Sequence, residues 1–474
     1  MSQLSPAIGV ESREPAPAAS ARRGSAPPRL SGGLPLLGHL LDLRRRPIEL
    51  FWRVRNECGE IGEMNWAGTR VVLLTGEAAQ EAFFRAEEEQ LDQAAAYPFM
   101  TPIFGRGVVF DGTPEQRRQA MRNQSLRDKM MRGHAETIAA ETRRMMEGLG
   151  DEGEIDLLDF FSELTLYTSS ACLIGRQFRE ELSPEYYRVF YELEKGTDAI
   201  AYVNSHLPLP VFRRRDRARA RLVGLLTAVF ERRAKREGAE RELFDVLLGI
   251  RDAAGRPRYT IDQVTGMFIS MMFAGHHTTS GTAAWTLIEL LRNEGAMKKV
   301  REEVDALYSD GREVSYQALR EIPELEAGIK ESLRLHPPLI ILMRKVVYDL
   351  HYNGFTVPAG KLVAVSPAVS NRMPEVFPDP DRFDPARYAP GREEDRHVMA
   401  WIPFGAGRHR CVGAAFAMMQ LKAIFSDLLL RYEFELSEPP ESYRNDHSKM
   451  VVQLRQPCRA RYRRRAGHRP IHEE

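Results

Sequence analysis

Apolar side chains run more continuously through residues 261–293 than anywhere else in the chain. A helix that is apolar on nearly every side belongs inside a protein. Elsewhere the apolar positions recur three and four apart, which predicts amphipathic helices over 46–57, 77–86, 155–174, 184–196, 213–238 and 414–430. Pro114 opens a further helix at a favoured first-turn position, and Pro337-Pro338 ends the helix that carries Glu331. A run of alternating and β-branched residues over 64–74 predicts a hairpin turning at Ala67-Gly68, and 432–461 reads as short strands and turns. Residues 97–105 are aromatic and Pro-rich, without a period; they are expected to be irregular, either a plain connector or a wall over an apolar cavity. The expected fold class is mainly α with a smaller β-region.

The chain has 474 residues, a formal net charge of +1 and 43% hydrophobic content. Such a balance gives no reason to expect a nucleic-acid partner. With no linker visible, residues 31–465 are expected to form a single domain, between a disordered tail over 1–30 and a flexible tail over 466–474. The basic runs Arg213-Arg214-Arg215 and 461–465 read as solvated surface. Cys58, Cys172, Cys411 and Cys458 are far apart and form no C-x-x-C pair. That argues against a disulfide framework and against a zinc site, and fits a reducing compartment. No secretory signal is visible, and no stretch approaches the roughly 20 apolar residues of a transmembrane segment. A soluble, cytoplasmic protein is expected.

Chemistry concentrates in residues 404–413, Phe-Gly-Ala-Gly-Arg-His-Arg-Cys-Val-Gly. Cys411 stands just before a helix N-terminus, where backbone N–H groups and the helix dipole favour a thiolate. The glycines permit close approach of backbone to a flat ligand. A second anomaly lies inside the apolar helix, where Gly275, His276, His277, Thr278, Thr279 and Ser280 are poor helix formers. Gly275 is expected to let something large lie flat against the helix, and Thr278 to bend it or to donate to a ligand. Glu331 and Arg334, three apart, share a helix face, as do Arg118 and Arg122, four apart.

In chain order, A-G-x-x-T at 274–278, E-x-x-R at 331–334, P-x-R-Y at 385–388 and F-x-x-G-x-H-x-C-x-G at 404–413 resemble the haem-thiolate monooxygenases, the cytochrome P-450 family. Most members carry an acid where His277 stands; the histidine resembles the sterol 14-alpha-demethylase branch, its soluble bacterial members above all. The likeness runs from about residue 47 to about residue 465. It implies a cytochrome P-450 fold, with the haem between the long central helix and the helix after the cysteine. It implies haem b with Cys411 as axial thiolate to the iron. His409, Arg344, Arg118, Arg122 and Tyr97 would contact the cofactor. Relatives can have Lys at the position of Arg118 and His at that of Arg122.

By the same resemblance Thr278 and His277 are catalytic, supplying protons for oxygen activation. His277 is read as the relay; a bond to the sterol hydroxyl or to a distant acid stays open. Phe99, Met100, Phe104, Met121, Phe273, Ala274, Leu339, Ile341 and Met450 would hold the sterol. Glu331, Arg334 and Arg387 would form a buried ion cluster behind the haem. The implied reaction is three oxygenations of one methyl group, ending in formate release. Electrons from NAD(P)H would arrive through a ferredoxin and its reductase, with Arg408 and Arg410 as part of a cationic docking face, and azole inhibitors are expected to bind. The rival readings are a monooxygenase of the same fold acting on another lipid or secondary metabolite, a haem-based binder or sensor without turnover, and a structural helical scaffold.

Overall fold

The computed structural model describes residues 24–107, 128–182, 184–194, 196–198, 200–234, 243–252 and 254–466. The helix opened by Pro114, with Arg118, Met121 and Arg122, lies outside them, as do most of the two tails. Residues 24–30 of the expected N-terminal tail are packed: Leu30 is buried, and its N–H donates to the Glu63 carbonyl at 3.0 Å.

The long helix Ile261–Arg292 is the axis of the molecule. Its start is fixed by a capping box. The Gln263 N–H donates to Thr260 Oγ1 at 3.2 Å, and the Thr260 N–H donates to Gln263 Oε1 at 2.9 Å. Toward its C-terminus Ala283, Ala284, Leu287 and Ile288 are fully buried against Phe161, Leu164, Phe425 and Leu428, which come from helices Leu157–Ser169 and Ala414–Arg431. Gly275 serves this packing. A Cβ there would come 3.1 Å from Ser169 Oγ and 3.3 Å from Leu173, so its open side faces a neighbouring helix and not a flat ligand.

The expected helix over 155–174 begins later. Ile155 and Asp156 belong to strand Glu152–Asp156, and Asp156 caps the helix, accepting from the N–H groups of Leu158 and Asp159 at 3.1 and 3.2 Å. The helix then loosens into a π turn over Ser170–Ile174.

Strands Ile61–Trp66, Thr69–Leu74, Leu362–Val365, Leu342–Val346 and Leu91–Asp92 lie side by side in that order. The hairpin turns where expected, with Ala67 at φ 47° and Gly68 at φ 96°, the left-handed pair of a tight two-residue turn. The parallel pairing of Thr69–Leu74 with Leu362–Val365 brings distant parts of the chain together.

Residues 97–105 are less irregular than expected: Pro98–Met100 makes a 3₁₀ turn and Thr101–Phe104 a helical turn, ended by Gly105 at φ 90°. Neither basic run is plain solvated surface. Arg215 is 1% exposed; its guanidinium donates to the Ser205 carbonyl at 3.0 Å and to Asp216 at 2.8 Å, and lies 4.7 Å from the Phe212 ring. Residues 459–464 form an inner strand between Glu152–Asp156 and Tyr432–Leu436. Arg465 there pairs with Asp305 at 2.7 Å. Arg215 is held by partners within about ten residues of it, Arg465 by an acid on a distant helix, so neither charge is free as it looks along the chain.

Candidate active site

Cys411 sits where the loop 404–413 runs into helix Ala414–Arg431. Its N–H donates to the Phe404 carbonyl at 2.9 Å, closing the loop on itself. The sulfur lies in a crevice that solvent reaches. Dehydration there raises the thiol pKa, while the N–H groups of Gly413 and Ala414 and the charge of Arg410 pull it down. Gly405 and Gly407 adopt φ 65° and 63°. A Cβ on Gly407 would strike the Phe84 carbonyl oxygen, so that glycine clears the way for the helix Glu77–Arg85 rather than for a macrocycle. His409 is half-buried beside the cysteine. Arg408 pairs with Glu87 at 2.6 Å at the surface.

Arg344 lies on strand Leu342–Val346, 2% exposed, with its guanidinium 4.7 Å from the Phe83 ring. Burial draws its pKa down to about 10, and Nη1 has no hydrogen-bond partner. A buried guanidinium with an idle N–H is a receptor for a carboxylate. Tyr97 is held beside it: its hydroxyl oxygen accepts from the Met343 N–H at 2.9 Å. A thiol at a helix start and a buried, unsatisfied arginine suit a haem with its propionates.

Ala274 and Thr278 lie one turn apart on the one side of the long helix that is open to solvent amid buried neighbours. The Thr278 hydroxyl donates to the Ala274 carbonyl at 2.8 Å, so its oxygen lone pairs are what it offers to a guest. The expected sterol contacts among the described residues fall into two apolar clusters. Phe104, Phe273 and Leu339 belong to one, with the Phe104 and Phe273 rings edge-on at 5.7 Å. Phe99, Ile341 and Met450 belong to the other, with Tyr97 against Phe99 at 5.5 Å. Met100 touches both.

His277 turns away from Thr278 into the protein. It and His276 are buried, and their Nε2 atoms lie 3.2 and 3.1 Å from Glu194 Oε1. His277 Nδ1 lies 2.6 Å from the Gln453 amide, and His276 Nδ1 3.0 Å from Thr165 Oγ1. Burial drives the His277 pKa down to about 4, against the pull of Glu194, so the ring is neutral at pH 7. Glu194 is pushed up by burial, but the two histidines more than offset this and hold it below its ordinary value. Neither Glu194 nor Gln453 stands in a motif along the chain. A signal for Glu194 exists: on helix Pro184–Glu194 it follows Phe190 by four and Tyr186 by eight, on the buried face.

Glu331, Arg334 and Arg387 come together at essentially zero exposure. Arg334 forks onto Glu331 at 2.8 and 2.9 Å, and Arg387 Nε donates to it at 3.1 Å. The Tyr388 hydroxyl and the Asp384 N–H add bonds of 2.9 Å each. The remaining guanidinium groups reach the carbonyls of Asn371, Arg382 and Asp379 and the carboxylate of Glu394.

A family model described as Cytochrome P450 matches residues 27–460. The sterol 14alpha-demethylase of Mycobacterium tuberculosis is 58% identical over 93% of this chain and 98% of its own length. The obtusifoliol 14-alpha demethylase of Sorghum bicolor is 35% identical over 93% of this chain and 90% of its own. Among solved structures, a retinoic acid-bound cyanobacterial CYP120A1 superposes with a TM-score of 0.82 at 21% identity, covering 93% of this chain and 100% of that one.

Proposed function

Since the chain belongs to the cytochrome P450 family, we propose that it is a haem-thiolate monooxygenase that removes the 14α-methyl group of a sterol in three oxidations and releases it as formate. The observation that carries this reading is the 58% identity to a sterol 14alpha-demethylase over nearly all of both chains. The open Ala274–Thr278 face and the two apolar clusters that hold Phe99, Phe104, Phe273, Leu339, Ile341 and Met450 support it, since a rigid hydrocarbon needs a chamber with few polar groups.

Cys411 would ligate the iron, and Arg344, Tyr97 and His409 would hold the macrocycle. When bound, the haem supplies oxygen activation, which an electron-rich thiolate favours. Phe99, Phe104, Phe273, Leu339, Ile341 and Met450 orient the sterol and exclude water. Thr278 presents oxygen lone pairs that can hold a water or a protonated group beside the reacting methyl. His277, neutral, with Nδ1 against the Gln453 amide and Nε2 3.2 Å from Glu194 Oε1, can take a proton on one ring nitrogen and release one from the other. Electrons would come from NAD(P)H through a ferredoxin and its reductase, and azoles would compete for the chamber. The four cysteines are unpaired, which fits a reducing cytoplasm.

The test is reconstitution of the purified haem protein with ferredoxin, reductase, NADPH and a 14α-methyl sterol. Formate and the demethylated sterol are expected in equal amounts. A hydroxylated sterol with the methyl carbon retained would move the assignment to the rival monooxygenase reading. Turnover of no sterol at all would refute the substrate class.

A further inference from the structure

We propose that Glu194, His276 and His277 form a site for one zinc-class divalent cation in the chamber wall. Cysteine spacing argues against zinc in this chain, but these ligands come from two helices that only the fold brings together, Pro184–Glu194 and Ile261–Arg292. Their donor atoms all lie within 4.8 Å of one another.

The spacing suits a metal. Zinc binds imidazole nitrogen and carboxylate oxygen at about 2.0–2.2 Å, which sets neighbouring donors of a tetrahedron roughly 3.4 Å apart. The two Nε2-to-Oε1 separations, 3.1 and 3.2 Å, are already close to that edge. The alignment suits one too. Glu194 Oε1 and His277 Nε2 are buried yet make no hydrogen bond of acceptable geometry, although they nearly touch. Such atoms are usually satisfied in a protein interior.

The outer nitrogens of both rings are held by partners, as metal-binding histidines require. Thr165 Oγ1 donates its own proton to the Phe161 carbonyl at 2.7 Å, so His276 Nδ1 is the donor to Thr165, and its Nε2 carries the lone pair. The Gln453 amide nitrogen lies 2.6 Å from His277 Nδ1, and a metal at Nε2 takes that amide the other way round, with its oxygen toward Nδ1. Imidazoles that donate outward and point their lone pairs at one carboxylate oxygen make a two-histidine, one-carboxylate ligand set. Imidazole with carboxylate, and no thiolate, favours zinc over softer ions. A cation here would immobilise His277, so it acts as an inhibitor. That consequence rests on the proton route proposed above; the binding does not.

The haem-loaded protein is equilibrated with zinc chloride, with time allowed for all three ligands being buried, then desalted and analysed for zinc and iron. One zinc per iron is expected in the wild type, and its loss in Glu194→Gln and in His276→Gln. Zinc K-edge absorption of the wild-type sample is expected to show nitrogen and oxygen at about 2.0 Å with imidazole scattering and no sulfur. Either result overturns the site: a wild type that retains no zinc, or variants that retain as much as it does. Sulfur in the metal shell does so as well, and that spectrum decides the matter even if a variant fails to take up haem. Zinc bound at these residues with undiminished formate production would overturn the inhibitory role alone.

Discussion

Glu289 and Glu194 are both buried, and each faces a histidine whose pKa dehydration drives down to about 4. In each pair burial pushes the carboxyl up and the histidine side more than offsets it. The surroundings then diverge. Glu289 Oε1 takes the Nε2 of His336 at 3.0 Å and a guanidinium N–H of Arg292 at 2.8 Å, and the His336 ring stacks on Trp285 at 3.6 Å. Glu194 has two histidines and no aligned bond at Oε1. The same contrast holds at larger scale. Helix Pro323–Leu335, ending at His336, carries Glu331, whose carboxylate is saturated with donors. In one region the carboxylates are filled with donors, which makes it rigid; in the other a carboxylate oxygen is left without an aligned donor, which chemistry or a ligand can use.

The largest effect expected from this contrast is on the saturated side. Glu331→Ala strands Arg334 and Arg387 in the core, and losing one partner of a buried ion pair costs about 3–5 kcal/mol. The variant should unfold at lower urea concentration and be isolated without haem, read as the ratio of Soret to 280 nm absorbance. A variant with full haem content and a wild-type midpoint would show that the network is ornamental and remove one half of the comparison.

How much of this was legible along the chain follows the same division. Glu331, Arg334 and Arg387 stand in short motifs, and Cys411 in a long one, so their grouping was readable before any contact was seen. The hairpin at Ala67-Gly68 and the capped long helix were readable because local backbone chemistry decides them. Gly275 and Gly407 were assigned to a flat ligand, whereas their open sides face Ser169 and the Phe84 backbone; composition says that room is needed, not for what. Glu194 and Gln453 depend on partners from distant elements, which periodicity does not carry.

A smaller effect reads one of the two histidine–glutamate pairs through pH. The folded pKa of His336, about 4, lies below the ordinary 6.5. The unfolded chain therefore binds the proton first. This residue's contribution is complete above about pH 6.5 and is lost as pH falls from there toward 4, by at most about 1.4 kcal/mol per pH unit. Its Nδ1 has no partner, so a second proton would have nothing to donate to. Urea midpoints measured between pH 7.5 and 5 should fall less steeply in His336→Phe, which keeps a ring against Trp285. Equal slopes in the two proteins would mean that His336 already carries its proton in the fold.

The smallest effect on stability is expected at Glu194, and its smallness is the point. Glu194→Gln keeps the shape, removes a charge whose Oε1 no aligned hydrogen bond anchors, and leaves His277 neutral. A change in unfolding free energy within about 1 kcal/mol is expected, against several for Glu331→Ala. Turnover should respond in the opposite order. If Glu194 feeds protons through His277, formate production falls roughly 10–100-fold while sterol binding, followed by the spectral shift on titration, is unchanged. More NADPH should then be consumed per formate released, because oxygen is reduced without reaching the methyl group. A Glu194→Gln protein as damaged in stability as Glu331→Ala, yet fully coupled, would place both acids in the same structural role and dissolve the distinction between the two regions.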